Sequence, residues 1–136
     1  MLMKVTGECH CGEVSFTATV DPQKVIICNC EDCQVTSGSA FRTIVMSEPD
    51  ALEFTRGSPK SYIKTADSGN KRELTFCTTC ASPFYSVTVG SDPKIYGIRV
   101  GVLKERKSLK PRKQIWCQSA VDWTDSIVNY PTTDQQ

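Results

Sequence analysis

Seven cysteines gathered in three tight groups constrain this chain more than any other feature. Cys9 and Cys11 form a C-x-C, Cys28, Cys30 and Cys33 a C-x-C-x-x-C, and Cys77 and Cys80 a C-x-x-C, while Cys117 stands alone. A disulfide framework spreads its cysteines along the chain. Sulfurs one or two residues apart instead converge on a single point about 2.3 Å away when a tight turn presents them, which is the geometry of a bound metal ion. An all-thiolate set is soft and selects zinc, an iron centre of the four-cysteine type, or monovalent copper over magnesium or calcium. Zinc is the expected ion.

Pairs are the building blocks of a closed tetrahedral site, so Cys9, Cys11, Cys77 and Cys80 are expected to hold one structural zinc. That site would tie the amino-terminal segment to a position some seventy residues later and couple metal binding to folding. The triplet Cys28, Cys30 and Cys33 is left with three protein ligands and one position open, the pattern of a catalytic zinc. Two residues are rivals for the fourth position. The only histidine, His10, lies between Cys9 and Cys11 and points away from whatever its neighbours build; Cys117, after Ile115 and Trp116, reads either as a small buried hydrophobe or as a fourth ligand.

The rest of the chain supplies a mostly β frame. Residues 13–20, EVSFTATV, alternate, with Val14, Phe16, Ala18 and Val20 on one face and Glu13, Ser15, Thr17 and Thr19 on the other. Further β-rich runs fall at 24–28, 41–47, 72–76, 84–89 and 94–100, separated by Gly, Pro, Asp and Ser. One helical turn is expected over 31–38, ending near Gly38. A length of 136 residues fits one domain with its core at about 5–124 and a polar tail over 125–136. No apolar run approaches membrane-spanning length, and the first residues lack a signal-like apolar stretch, so the expectation is a cytoplasmic protein without a membrane partner. The net charge of +1 gives no general attraction to nucleic acid. The basic stretch LKERKSLKPRK, 103–113, has only Trp116 near it as a stacking platform and reads as a solvated loop.

Taken together, GECHCGEVSF, CNCEDCQVTSGSAF, FCTTCASPF, GVLKE and QIWCQSAVDW resemble the glutathione-dependent formaldehyde-activating enzyme family, which includes relatives of centromere protein V. The resemblance runs over about 5–124 and implies an Mss4-like fold of packed antiparallel sheets carrying zinc. It implies the same division of cysteines reached above from spacing. It also implies carbon–sulfur lyase chemistry, the making or breaking of an adduct between glutathione, or a similar thiol, and a small aldehyde such as formaldehyde. The family places the turn after the third cysteine, here Ser37, Gly38, Ser39, Ala40 and Phe41, beside the open position, with Trp116 and Trp123 as candidate pocket walls.

The chain departs from the family pattern at three positions: Ala81 replaces a common glycine, Gln114 a histidine, and Lys104 an acidic residue. Gln114 cannot transfer a proton, so acid–base work there is lost. A competing reading is a non-catalytic binding or scaffold module with two structural zincs and Cys117 closing the second. The three-cysteine set with no nearby fourth Cys or His favours the enzyme.

Overall fold

The computed structural model describes residues 1–136. Eight strands run in chain order: β1 (Met3–Glu8), β2 (Ser15–Cys28), β3 (Arg42–Arg56), β4 (Lys60–Thr65), β5 (Lys71–Phe76), β6 (Pro83–Thr88), β7 (Gly97–Arg99) and β8 (Lys113–Ile115). A single α-helix, α1 (Glu31–Ser37), and short 3-10 turns complete the chain. No helix is long and apolar enough to cross a membrane.

All eight strands share one hydrogen-bonded sheet in the order β1-β2-β3-β7-β6-β5-β4, with β8 added to β2. Every pairing is antiparallel except β2 with β8. The two runs expected at 13–20 and 24–28 are halves of the one strand β2. Register shifts around Ala18, Val20 and Val25 bend it. Its first half pairs with β1 and β3; its second half pairs with β3 and β8.

The sheet curls on itself. Three strand spacings separate β2 from β6, roughly 14 Å if the sheet were flat. Yet the rings of Phe16 on β2 and Phe84 on β6 meet edge to face with centroids 5.8 Å apart, and Phe54 on β3 meets both. Val5, Val14, Phe16, Ala18, Val20, Val25, Val45, Phe84, Val87 and Ile98 fill the interior of the curl. The alternation read from 13–20 is the cause on β2, where all four expected apolar residues are buried.

Sequence periodicity did not anticipate β1, β4 or β8. The side chains of β4 are almost all exposed, because it is an edge strand bonded only to β5, so it lacks a buried stripe. The run 94–100 contributes only three residues of strand before a 3-10 turn. In the basic stretch, Leu103 and Leu109 are buried in the core and pin the segment down, while Lys104, Arg106, Lys107 and Lys110 stay exposed. Residues Asp122–Asn129 form 3-10 turns across the boundary expected for the tail.

Candidate metal centres and the cavity beside them

The first cysteine group forms where the curl closes. Cys9 and Cys11 lie in the turn after β1, and Cys77 and Cys80 in the turn after β5. Their four sulfurs lie within 4.8 Å of one another, with Cys9 Sγ 3.6 Å from Cys11 Sγ and Cys11 Sγ 3.8 Å from Cys77 Sγ. A tetrahedron of sulfurs each about 2.3 Å from one ion has edges of about 3.8 Å, so the set fits a soft ion such as zinc. Backbone turns hold it: the Val14 N–H donates to Cys9 Sγ at 3.3 Å, and the Ala81 N–H to the Cys77 carbonyl at 2.8 Å. The Ser82 hydroxyl lies 3.2 Å from Cys80 Sγ and pulls that thiol down to about 5.

The second group forms within one short segment. Cys28 ends β2, Cys30 caps α1, and Cys33 lies in its first turn. Cys30 Sγ accepts the Cys33 N–H at 3.3 Å, and Cys28 Sγ lies 3.4 Å from it. Gly38, at φ 67°, ends α1 as a left-handed cap. The three sulfurs lie within 4.8 Å of one another, and no fourth Cys, His, Asp or Glu joins them. Hydrogen bonding from Cys28 and Cys30, together with the Arg42 guanidinium, holds the Cys33 thiol down at about 5 against the opposing effect of burial. Cys28 is pushed far up by the same bond to Cys33 and by burial. The Arg42 guanidinium beside Cys33 thus favours the thiolate form that a soft ion needs.

Neither rival reaches this group. His10 is exposed, outside both sulfur clusters, with its backbone N–H on Ser82 Oγ at 3.0 Å. Cys117 is exposed rather than a buried hydrophobe, because it opens a 3-10 turn that Trp116, at φ 56°, swings outward.

Asn29, between Cys28 and Cys30, is 1% exposed and escaped notice in the sequence. Its side-chain amide donates to Gln114 Oε1 at 3.2 Å and to the Ile115 carbonyl at 3.1 Å, while its backbone carbonyl accepts from Gln34 Nε2 at 2.8 Å. Gln34 Nε2 also donates to the Ser119 carbonyl at 2.9 Å. This network joins the knuckle to the carboxy-terminal segment. It lets Gln114 position the knuckle through Asn29.

The second group opens on a cavity of about 660 Å³. Its floor is the outer face of the sheet: Ile26 and Cys28 from β2, Ile44 and Met46 from β3, Gly97 and Arg99 from β7, Ser86 from β6, Arg72 and Leu74 from β5. The neighbouring residues Val25, Val45, Ile98, Tyr85 and Thr75 point the opposite way into the core. Around the mouth stand α1, the β4–β5 hairpin and the turn holding Trp116, with Lys64 on β4 paired to Asp32 on α1 at 2.6 Å.

Trp116 lines this cavity and is 50% exposed; Trp123 is also 50% exposed and does not line it. Ser37, Gly38, Ser39, Ala40 and Phe41 do not line it either, since the left-handed turn at Gly38 carries the chain from the helix end into β3. Thr36, one residue earlier, does. The basic residues Arg42, Arg72 and Arg99 were not anticipated. They fall within otherwise ordinary strands, and only the pairing of β3, β5 and β7 brings them together.

A Rhodobacter sphaeroides protein of known crystal structure matches this fold with a TM-score of 0.61 at 20% identity, over 80% of this chain and 98% of that one. The family model for the glutathione-dependent formaldehyde-activating enzyme matches residues 4–119, a span that holds both sulfur groups, the cavity floor and Trp116. With nearly the whole folded region matched, the chain belongs to the glutathione-dependent formaldehyde-activating enzyme family.

Proposed function

We propose that the protein is a zinc-dependent carbon–sulfur lyase that forms or cleaves the adduct of a thiol, glutathione or a similar one, with a small aldehyde such as formaldehyde. The carrying observation is that Cys28, Cys30 and Cys33 converge without a fourth protein donor at the wall of a cavity of about 660 Å³. Cys9, Cys11, Cys77 and Cys80 would hold a second, structural zinc. A zinc ion held by the three cysteines would keep a bound thiol ionised at neutral pH.

The protein's own residues account for the rest. Ile26, Ile44, Met46 and Leu74 give the floor an apolar surface that limits water around a nucleophile. The nearby guanidinium groups favour a negatively charged sulfur. The Asn29–Gln114–Ile115 bonds fix the knuckle, so the sulfurs keep their aim through turnover. In the forward direction the substrate sulfur attacks the carbonyl carbon and a C–S bond forms. The C=O π pair moves to oxygen, and the proton lost by the thiol ends on that oxygen. No residue here supplies a strong acid, and the small free aldehyde needs none to react with a thiolate. A compartment that keeps thiols reduced, such as the cytoplasm, suits eight free cysteines.

Zinc K-edge absorption tests the reading. About 3.5 sulfurs per ion are expected without substrate and four with glutathione, since one site is full and the other takes a thiol. Four sulfurs per ion before any thiol is added would refute it and favour two structural zincs in a scaffold module.

A further inference from the structure

The cavity floor carries more positive charge than its thiolates need. Arg99 is 6% exposed, and its Nε, fully buried, has no hydrogen-bond partner; one terminal nitrogen donates to the Gly97 carbonyl at 3.1 Å and to Ser86 Oγ at 3.4 Å. Arg72 donates to the same Ser86 Oγ at 2.7 Å and to Thr88 Oγ1 at 2.7 Å. Neither makes an ion pair with a carboxylate. Burial, with Arg42 and Arg72 nearby, brings Arg99 down to about 9, so it is still a cation at neutral pH. Arg42, likewise buried with an unpartnered Nε, sits beside Cys33 and serves the sulfurs.

Three protein thiolates and a substrate thiolate around a divalent ion would carry two net negative charges, one fewer than the three positive charges of Arg42, Arg72 and Arg99. One positive charge is left over on Arg72 and Arg99, which share one serine, Arg99 buried and Arg72 half-buried. A buried guanidinium beside a second, half-buried one is costly unless an anion joins them. Ser86 Oγ orients both guanidinium groups. Gly97 keeps the floor open between them, because a Cβ there would lie 3.2 Å from Ile44 Cγ2 and 3.4 Å from Ser86 Oγ. In the register Cys28 faces Arg42, and Ile44 faces Arg99, which puts the Arg99 backbone roughly 12 Å from that of Cys28, across two strand spacings and two residues of rise.

We propose that Arg72 and Arg99 form a carboxylate site on the cavity floor, so that the adduct this enzyme handles carries a carboxylate at the end away from the sulfur. The site rests on the proposed thiol chemistry only for its purpose, and binding can be measured without it. Two sources share the chemistry: a carboxylate of the thiol, or one on the carbonyl partner, as in a short 2-oxo acid.

Arginine Nε–H resonances of the zinc-loaded protein, titrated with propionate, glyoxylate and S-methylglutathione, read the site directly. Saturable shifts at Arg72 and Arg99 are expected, with affinity falling about tenfold or more in Arg72→Gln, as loss of a charge-assisted bond predicts. Arg72→Lys is expected to recover only part of it, because the paired N–H geometry is lost. Tighter binding of glyoxylate assigns the carboxylate to the carbonyl partner, and of S-methylglutathione to the thiol. Absence of saturable shifts with all three overturns the site, as does equal binding by wild type and Arg72→Gln. The thiol reading fails by a different measurement: a neutral thiol, 2-mercaptoethanol, that leaves the charge-transfer bands of the cobalt-substituted protein unmoved.

Discussion

Ala81 adopts φ 65°, in the left-handed region where a Cβ is crowded, one residue after the ligand candidate Cys80. The turn requires it, since its N–H must reach back to the Cys77 carbonyl. Left-handed backbone costs a residue with a side chain roughly 1–2 kcal/mol, part of which glycine returns through the greater freedom of its unfolded chain. Ala81→Gly is therefore expected to stabilise the zinc-loaded protein by about 0.5–1 kcal/mol, read as a higher urea midpoint with unchanged metal content. A lower midpoint would contradict this account. Trp116, at φ 56°, is the comparable case beside the cavity. A bulky residue is kept in that region only where surrounding bonds over-determine it, here the Ile115 carbonyl on Asn29 and the Trp116 carbonyl on the Ser119 N–H.

At the scale of elements, β2 does the most. Its amino-terminal half supplies Phe16, Ala18 and Val20 to the core, and past the bend near Val20 the strand still buries Val25 while it turns Ile26 and Cys28 to the cavity. The inner half depends on close approach to β1. Gly7 lies opposite Phe16, and a Cβ added there would fall 2.1 Å from the Phe16 ring. The ring is buried between Phe54 and Phe84 and has nowhere to move. Gly7→Ala is expected to cost about 1–3 kcal/mol by overpacking. The cost should shrink in a Phe16→Leu background, where the clash is relieved. A double-mutant cycle by urea denaturation checks both statements, and strict additivity of the two changes would argue against the contact.

For the molecule as a whole, the two sulfur groups play unequal mechanical parts. The first joins turns after β1 and β5 and closes the curled sheet, whereas the second lies within residues 28–33 and closes only its own knuckle. Loss of a ligand should follow that division. Cys77→Ser is expected to lower the melting temperature steeply and to make folding depend far less on added zinc, because the long closure is gone. Cys30→Ser should keep the fold by circular dichroism while the metal content falls by one ion per chain. Equal loss of stability in the two variants would show that the second group also carries the fold. Acidification would act in the same direction on both groups, since each ligand must lose a proton to bind; loss of zinc from the loaded protein as pH falls is the expected outcome, read by metal analysis after dialysis.

Cysteine spacing by itself determined the three knuckles, because ligands one or two residues apart share a turn whatever the rest of the chain does; the count of pairs suggested which two join, and the curl of the sheet brings them together. The alternation in 13–20 determined the buried face of β2 for an equally local reason, and Gly38 the end of α1. Edge strand β4 stayed hidden because it buries nothing, and β8 because three residues carry no period. Tertiary structure alone decided what surrounds the three sulfurs. Arg42, Arg72 and Arg99 stand up to fifty-seven positions apart and meet only because β3, β7, β6 and β5 pair side by side, while the turn at Ser37–Phe41, close to Cys33 in sequence, leads away from the cavity. Ligand geometry is set within a turn and can be read from neighbours; the charge of a cavity is set by strand register, which joins residues that no short-range pattern connects.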